Sequence, residues 1–261
     1  MKCKMGTLVK QECFKLFKKK STYILPIIII IIMLSLAILG NHYSDVFNLK
    51  ESFKGGFSSF SWVVFLMIIQ ASTIISMEFH YGTIKNLLYR NYSRTSIIVS
   101  KFITLLIYSL IIFLVFIIIS LLLHLIFNGE TSLTEHSKNH ISLLNSMLLT
   151  ALGTFVGMWL VMSLTLLISC IMKSPGVSIA VGIVFYFAVS IISGLLTVVI
   201  DKWEWLKWNP LNMMNIMAQI TDNDTFKKIT KLELHELFIG NIIYIVIFLV
   251  LVVVAFKKKN V

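Results

Sequence analysis

Six stretches of this chain are long and apolar enough to cross a hydrocarbon layer, and that count constrains the fold more than any other feature. A bilayer core of roughly 30 Å takes about 20 apolar residues of helix. The runs extend from Tyr23 to Gly40, Phe57 to Met77, Ile97 to Phe127, Ser142 to Met172, Val177 to Ile200 and Leu237 to Phe256. Of the 261 residues, 57% are hydrophobic and only 13% charged, and mean hydropathy is +0.90. A soluble domain of this size has no core large enough to hide that surface. The third and fourth runs, at 31 residues each, would measure about 46 Å as helices. They must tilt or project, and the end of the third run around Lys101 is expected to project into the cytoplasm.

The distribution of charge orients the bundle. Lys and Arg before the first run, between the second and third, at Lys101 near the start of the third, at Lys173 and at the C-terminus number 15 against two acids, Glu12 and Glu78. The other side has 8 cations and 10 acids, so the sides carry +13 and −2. The positive-inside rule then places both termini in the cytoplasm. The net charge of +11 is therefore topological and implies no nucleic acid. Three cysteines, Cys3, Cys13 and Cys170, lack metal-ligand spacing and imply no disulfide framework. Lys18-Lys19-Lys20 ahead of the first run resembles a signal-peptide n-region, but the leader is long and no small-x-small cleavage site follows, so the run is read as a retained span.

Residues 1–22 read as an interfacial helix. At 100° per residue, Val9, Cys13, Phe14, Leu16 and Phe17 fall on one arc, with Gln11, Glu12, Lys15, Lys18 and Lys19 opposite. The expectation is a helix along the inner leaflet with its lysines on anionic headgroups. The membrane-spanning body covers residues 23–256, and 257–261 form a basic cytoplasmic tail.

Between the second and third runs, residues 78–96 leave room for one short helix and two turns. Gly82 permits a tight turn, and Thr83-Ile84-Lys85-Asn86-Leu87-Leu88 places Ile84, Leu87 and Leu88 on one side. Such a helix can bury its apolar side in a partner's groove, with Lys85, Arg90 and Arg94 at the rim. Glu78, the Gly82-Thr83 pair, Leu87-Leu88, Ser93-Arg94 and Lys101 stand in the order that resembles the coupling helix of ABC exporter permeases of the ABC-2 type. The chain departs from that pattern at Asn91-Tyr92, where family members often have proline. The resemblance implies an all-α membrane protein of six transmembrane helices whose cytoplasmic element receives the motion of a separate ATPase. It assigns Glu78, Gly82, Thr83, Ile84, Lys85, Leu87, Leu88 and Arg94 to ATPase coupling. Short Ile- and Lys-rich permeases of this length are similar to the bacteriocin- and lantibiotic-immunity, bacitracin-resistance and peptide-toxin export components of Gram-positive bacteria. The similarity implies export of an amphipathic peptide or lipid-like substrate across the cytoplasmic membrane, and a second permease copy or related permease completing the pathway.

Polar residues within spans are functional candidates. Gln70 and Thr73 lie one turn apart and can face one groove, and with Gly182 and Ser190 they are the pathway-lining candidates. Gly153 and Gly157 form a small-xxx-small pair suited to close packing. The same small and polar residues also serve simply to hold helices together, and His124 is expected at the membrane interface. In the outer loop, residues 201–236, Trp203, Trp205 and Trp208 belong at headgroup level. Leu211 to Ile220 is apolar enough to dip back into the membrane, and Phe226 to Glu236 reads as one amphipathic surface helix.

No Gly-x-x-x-x-Gly-Lys-Ser/Thr loop or His-Glu-x-x-His motif occurs in the chain, and no Ser/His couple in the spans would support an intramembrane protease. The reading is therefore a transport subunit without a nucleotide site of its own, and no cofactor or metal is expected. An ion-driven secondary transporter would require membrane carboxylates and an inverted repeat; a structural membrane subunit would lack an ATPase partner.

Overall fold

The computed structural model describes residues 5–43, 47–84, 89, 92–127, 142–172 and 174–258, except for the side chains of Val189, Ser190 and Ser193. Among the described residues the regular structure is helical. It comprises α1 (Met5–Lys18), α2 (Ser21–His42), α3 (Leu49–Lys54), α4 (Ser59–His80), α5 (Arg94–Phe127), α6 (Leu143–Ile171), α7 (Pro175–Lys202), a 3-10 turn (Glu204–Trp208), α8 (Pro210–Met213), α9 (Ile216–Thr221), α10 (Asn223–Thr230) and α11 (Leu234–Lys258).

Five segments are long and apolar enough to cross a membrane: Ser21–His42, Leu49–His80, Arg94–Phe127, Leu143–Ile171 and Leu234–Lys258. The sixth expected span corresponds to α7, 28 residues long, of which the apolar part that qualifies among the described residues is the shorter Pro175–Ala188. Helix α6 is the hub. It packs against α4, α7, α9 and α11, while α4 also packs against α2, α5 and α7. The outward faces of α2, α5 and α11 carry Ile, Leu and Val, which is the surface a lipid-solvated bundle presents.

Local sequence explains how α2 meets α5. Pro26 lies inside α2 and lacks the N–H that would bond the Thr22 carbonyl one turn back. The Tyr108 hydroxyl of α5 donates to that carbonyl at 3.1 Å. Tyr108→Phe is expected to leave the buried carbonyl bare and cost about 1–3 kcal/mol. Thermal unfolding in detergent checks this, and an unchanged midpoint would refute it.

The first outer connection contains an element that the hydropathy pattern misses. Asn48 caps α3 by accepting from the backbone N–H groups of Lys50 and Glu51, and Gly56 (φ 58°) helps turn the chain into α4. Phe53 of α3 is fully buried and meets the His124 ring at 4.4 Å between centroids. His124, expected at the membrane interface, is 1% exposed because α3 covers it, and this contact joins residues far apart in sequence.

The region 201–236 also differs from expectation. The proposed surface helix over Phe226 to Glu236 is instead α10, ending at Thr230, because Lys231 adopts a left-handed conformation (φ 56°) and breaks the run before α11 begins. The segment expected to dip back forms α8 and α9. Asn209 caps α8 by accepting from Asn212 N–H at 2.8 Å, with Pro210 in its first turn. Gly153 and Gly157 of α6 form the floor on which Ile220 and Met217 of α9 rest, and Gly240 of α11 does the same for Met213. Gly157 lies about 21 Å along α6 from Leu143, so this broken helix runs back beside a spanning one.

Irregular backbone at that depth must be satisfied within the protein. Here side-chain amides supply the donors. Asn212 Nδ2 reaches the carbonyls of Lys207 (2.7 Å) and Thr230 (2.9 Å), Gln219 Nε2 reaches that of Leu232 (2.9 Å), and Asn241 Nδ2 reaches that of Met213 (2.7 Å). The two glycines anticipated for helix-helix packing therefore serve the packing of a broken helix.

Candidate functional site

The most unusual chemistry lies where α1 meets the ends of α4 and α5. Leu8, Glu12 and Leu16 recur every fourth residue and form one buried stripe on α1. Glu12 is 2% exposed, whereas Phe14 is 64% exposed with the Lys18 ammonium 5.6 Å from its ring centroid. The expected apolar arc is thus only partly the buried face. Charge pairing decides the rotation, since Glu12 meets a buried cation, while a Phe turned toward lipid forfeits little.

That cation is Lys101, which is completely buried. Its Nζ lies 2.6 Å from Glu12 Oε2 and 2.9 Å from Glu78 Oε1. Lys15 Nζ closes the ring, at 2.7 Å from Glu12 Oε1 and 2.9 Å from Glu78 Oε1. Two carboxylates and two ammoniums balance, which is the condition under which buried charge is tolerable. Glu78 Oε2 is buried without a hydrogen-bond partner among the described residues. Burial pushes the Glu12 carboxyl up, but the charge and hydrogen bonds of Lys101 and Lys15 pull harder, so it lies below the usual carboxylate range. Burial pulls Lys15 down, yet Glu78 and Glu12 hold it above the usual lysine value. The end of the third span around Lys101, expected to project into the cytoplasm, is enclosed by α1 and Glu78.

Beside this ring is a pocket of about 220 Å³ between α1 and α4. Lys19 reaches across it to the Gln70 carbonyl oxygen at 3.2 Å and to the Thr73 hydroxyl oxygen. Thr73 gives its own proton to the Ile69 carbonyl at 2.7 Å, leaving a lone pair for the ammonium. Lys19 forms no salt bridge among the described residues, and burial draws its pKa down from 10.5 to about 8.

The structure therefore brings Glu78, Gln70 and Thr73 into one region, joined by Lys101. Other candidates lie elsewhere. Gly82 adopts φ 66° at the turn after α4 with open space around it, and the Thr83 hydroxyl donates to the Glu78 carbonyl at 3.5 Å. Ile84 is 2% exposed and packs into the chain's own core, so its expected place on a partner-facing side is revised. Arg94, expected at a rim, donates from Nη1 to the Lys257 carbonyl at 2.8 Å. A cation there also suits the negative end of the α11 dipole. Gly182 lies against Ile68 and Thr165 in the α4–α6–α7 contact, away from the pocket. Lys85, Leu87, Leu88 and the side chain of Ser190 lie outside the described residues.

Sequence reading missed Glu12, Lys15 and Lys19 as site residues. A signal was present, because Glu12 is the only acid among the seven lysines of the first twenty residues and sits between Leu8 and Leu16 at helical spacing.

Comparison with known proteins agrees with the architecture. Residues 28–261 match the family described as "Protein of unknown function (DUF2705)". The chain is 24% identical over 318 residues to the "Uncharacterized protein YhcI" of Bacillus subtilis (strain 168), covering 98% of this chain and 99% of that protein. It is 30% identical over 197 residues to the "Uncharacterized membrane protein YdbK" of the same organism, covering 72% of this chain and 77% of that protein. With five helices of spanning length and apolarity and a relative described as a membrane protein, the chain is a multi-pass integral membrane protein.

Proposed function

This chain belongs to the DUF2705 family, and for this member we propose the role of membrane-spanning permease subunit of an ABC exporter. It uses ATP hydrolysed by a separate ATPase to move an amphipathic peptide or lipid-like molecule out of the cytoplasmic membrane. In this reading α7 is the sixth span, both termini face the cytoplasm, and the chain itself performs no catalysis. A second permease packs against the outward face of α7, where Val184, Phe187, Ile191, Leu195 and Val198 are all exposed.

The observation that carries the proposal is how the short segment after α4 is anchored. Glu78 just before it and Lys101 just after it are ion-paired at 2.9 Å, and Lys101 is paired in turn to Glu12 of α1. Arg94, at the start of α5, grips the end of α11. A force applied to residues 81–93 would move the ends of α1, α4, α5 and α11 together, because separating them would strand buried charge. An arrangement of this kind suits a membrane domain that takes mechanical input from outside itself.

The test is affinity purification of the tagged chain from its native membranes in mild detergent. An ABC ATPase is expected to co-purify in stoichiometric amount, and export of the cognate toxic amphiphile should require both proteins. A folded, membrane-inserted chain that brings down no ATPase would remove the proposal.

A further inference from the structure

We infer that the pocket between α1 and α4 binds the phosphate of an anionic lipid headgroup, with Lys19 as its cationic ligand. The first argument is charge. Glu12 and Glu78 are both held by Lys15 and Lys101 within 2.9 Å, so the ring is neutral, and among the described residues Lys19 is the surplus cation at the pocket. Its neighbours, the Gln70 and Thr73 oxygens, are neutral acceptors, and an ammonium has three donors to place. A half-buried cation with neutral acceptors and an adjoining 220 Å³ space is completed by an anion.

The second argument is depth. Lys19 and Lys20 immediately precede α2, whose Tyr23, Ile24, Ile27 and Ile28 all face outward and are exposed. Lys19 therefore marks a membrane boundary, whichever side the termini face. Gln70 and Thr73 share that level through their contacts with it, and α4 continues about 10 Å beyond Thr73 to His80, where the charged ring lies. The pocket thus stands where lipid phosphates stand. Its other walls, Leu16, Ile74 and Met77, are apolar and suit the glycerol and first methylenes of a lipid better than a free hydrated ion.

This assignment is independent of the ATPase proposal and survives its failure. The test uses the full chain in detergent, titrated with short-chain phosphatidylglycerol, with diacylglycerol of the same chain length and with inorganic phosphate, bound ligand being counted by native mass spectrometry. Phosphatidylglycerol should bind, and the other two should not at matched concentration. Lys19→Met should weaken that binding by about tenfold or more while unfolding at the wild-type temperature or above, because it removes a cation that has no carboxylate partner among the described residues. Lys20→Met, at an exposed neighbour, should bind as wild type. If Lys19→Met does not fold, Lys19→Gln carries the same comparison. Unchanged binding in the Lys19 variant, equal loss in Lys20→Met, or equal binding of diacylglycerol would overturn the site. Equal binding of inorganic phosphate would make it a site for soluble anions and overturn the lipid assignment.

Discussion

Lys101→Met is expected to destabilise the protein by roughly 3–5 kcal/mol, the usual cost of removing one partner from a buried ionic group. Methionine nearly matches the lysine stem, so lost packing is a minor part. What remains is two carboxylates sharing only Lys15, whose side chain is 50% exposed. The pH dependence separates this explanation from a packing defect. In the wild type the Glu12 pKa is lowered from 4.5, so its contribution is present above the unfolded value and is lost as pH falls through the folded one. Without Lys101, burial dominates and the Glu12 pKa rises above its unfolded value. The variant should then gain stability as pH falls toward that range. Thermal unfolding in detergent, measured from about pH 8 down to about pH 3, should show the variant gaining stability as pH falls toward 4.5 and the wild type losing it below 4.5. The pair Glu12→Gln and Lys101→Met should also cost less than the sum of the singles, because they share one network. Parallel pH profiles, or simple additivity, would show that the ring is not a coupled unit.

Replacing both Leu87 and Leu88 by Asp is expected to abolish ATPase association and export while leaving the membrane level of the chain unchanged. The two leucines lie in the short charged segment between spans, and as anchors in a partner's groove they would have to bury two carboxylates there. That costs several kcal/mol at a small interface, more than such an interface can spare. Pull-down of the ATPase, export or resistance in cells, and membrane abundance form the readout. Normal association and normal export in the double variant would end the coupling assignment. Ile84 supplies a contrast, since it is buried in the chain's own core. An Asp there should lower membrane abundance instead.

Five of the six expected spans were legible in the sequence, while the run Val177 to Ile200 falls on a helix whose qualifying apolar part is shorter. Tyr23 to Gly40 became Ser21–His42, and Ser142 to Met172 became Leu143–Ile171. Boundaries of this kind depend on where apolar residues stop, and partitioning into hydrocarbon is scored residue by residue without reference to partners. Local chemistry accounts for the start of α8, where Asn209 caps the helix and Pro210 opens its first turn. Less legible were elements whose existence depends on something to pack against. Helix α3 has six residues and would not hold alone; Phe53 and its neighbours give it a place on the bundle.

The sequence by itself determined that this is a multi-span helical membrane protein and which residue types had to find partners inside it. The tertiary structure decided who those partners are. Glu12 and Lys101 are 89 residues apart, and Lys15 and Glu78 are 63 apart, and no periodicity links them. Their pairing follows from the height at which α1, α4 and α5 end and from the rotation of α1 that brings Glu12 inward. Gly153 and Gly157 likewise read as a contact face, but only the return of α9 along α6 shows that Ile220 and Met217 occupy it. The physical reason is common to both cases. Hydrophobic transfer acts on one residue at a time, whereas ion pairing and close packing are properties of pairs, and a pair has no energy until the fold has placed both members.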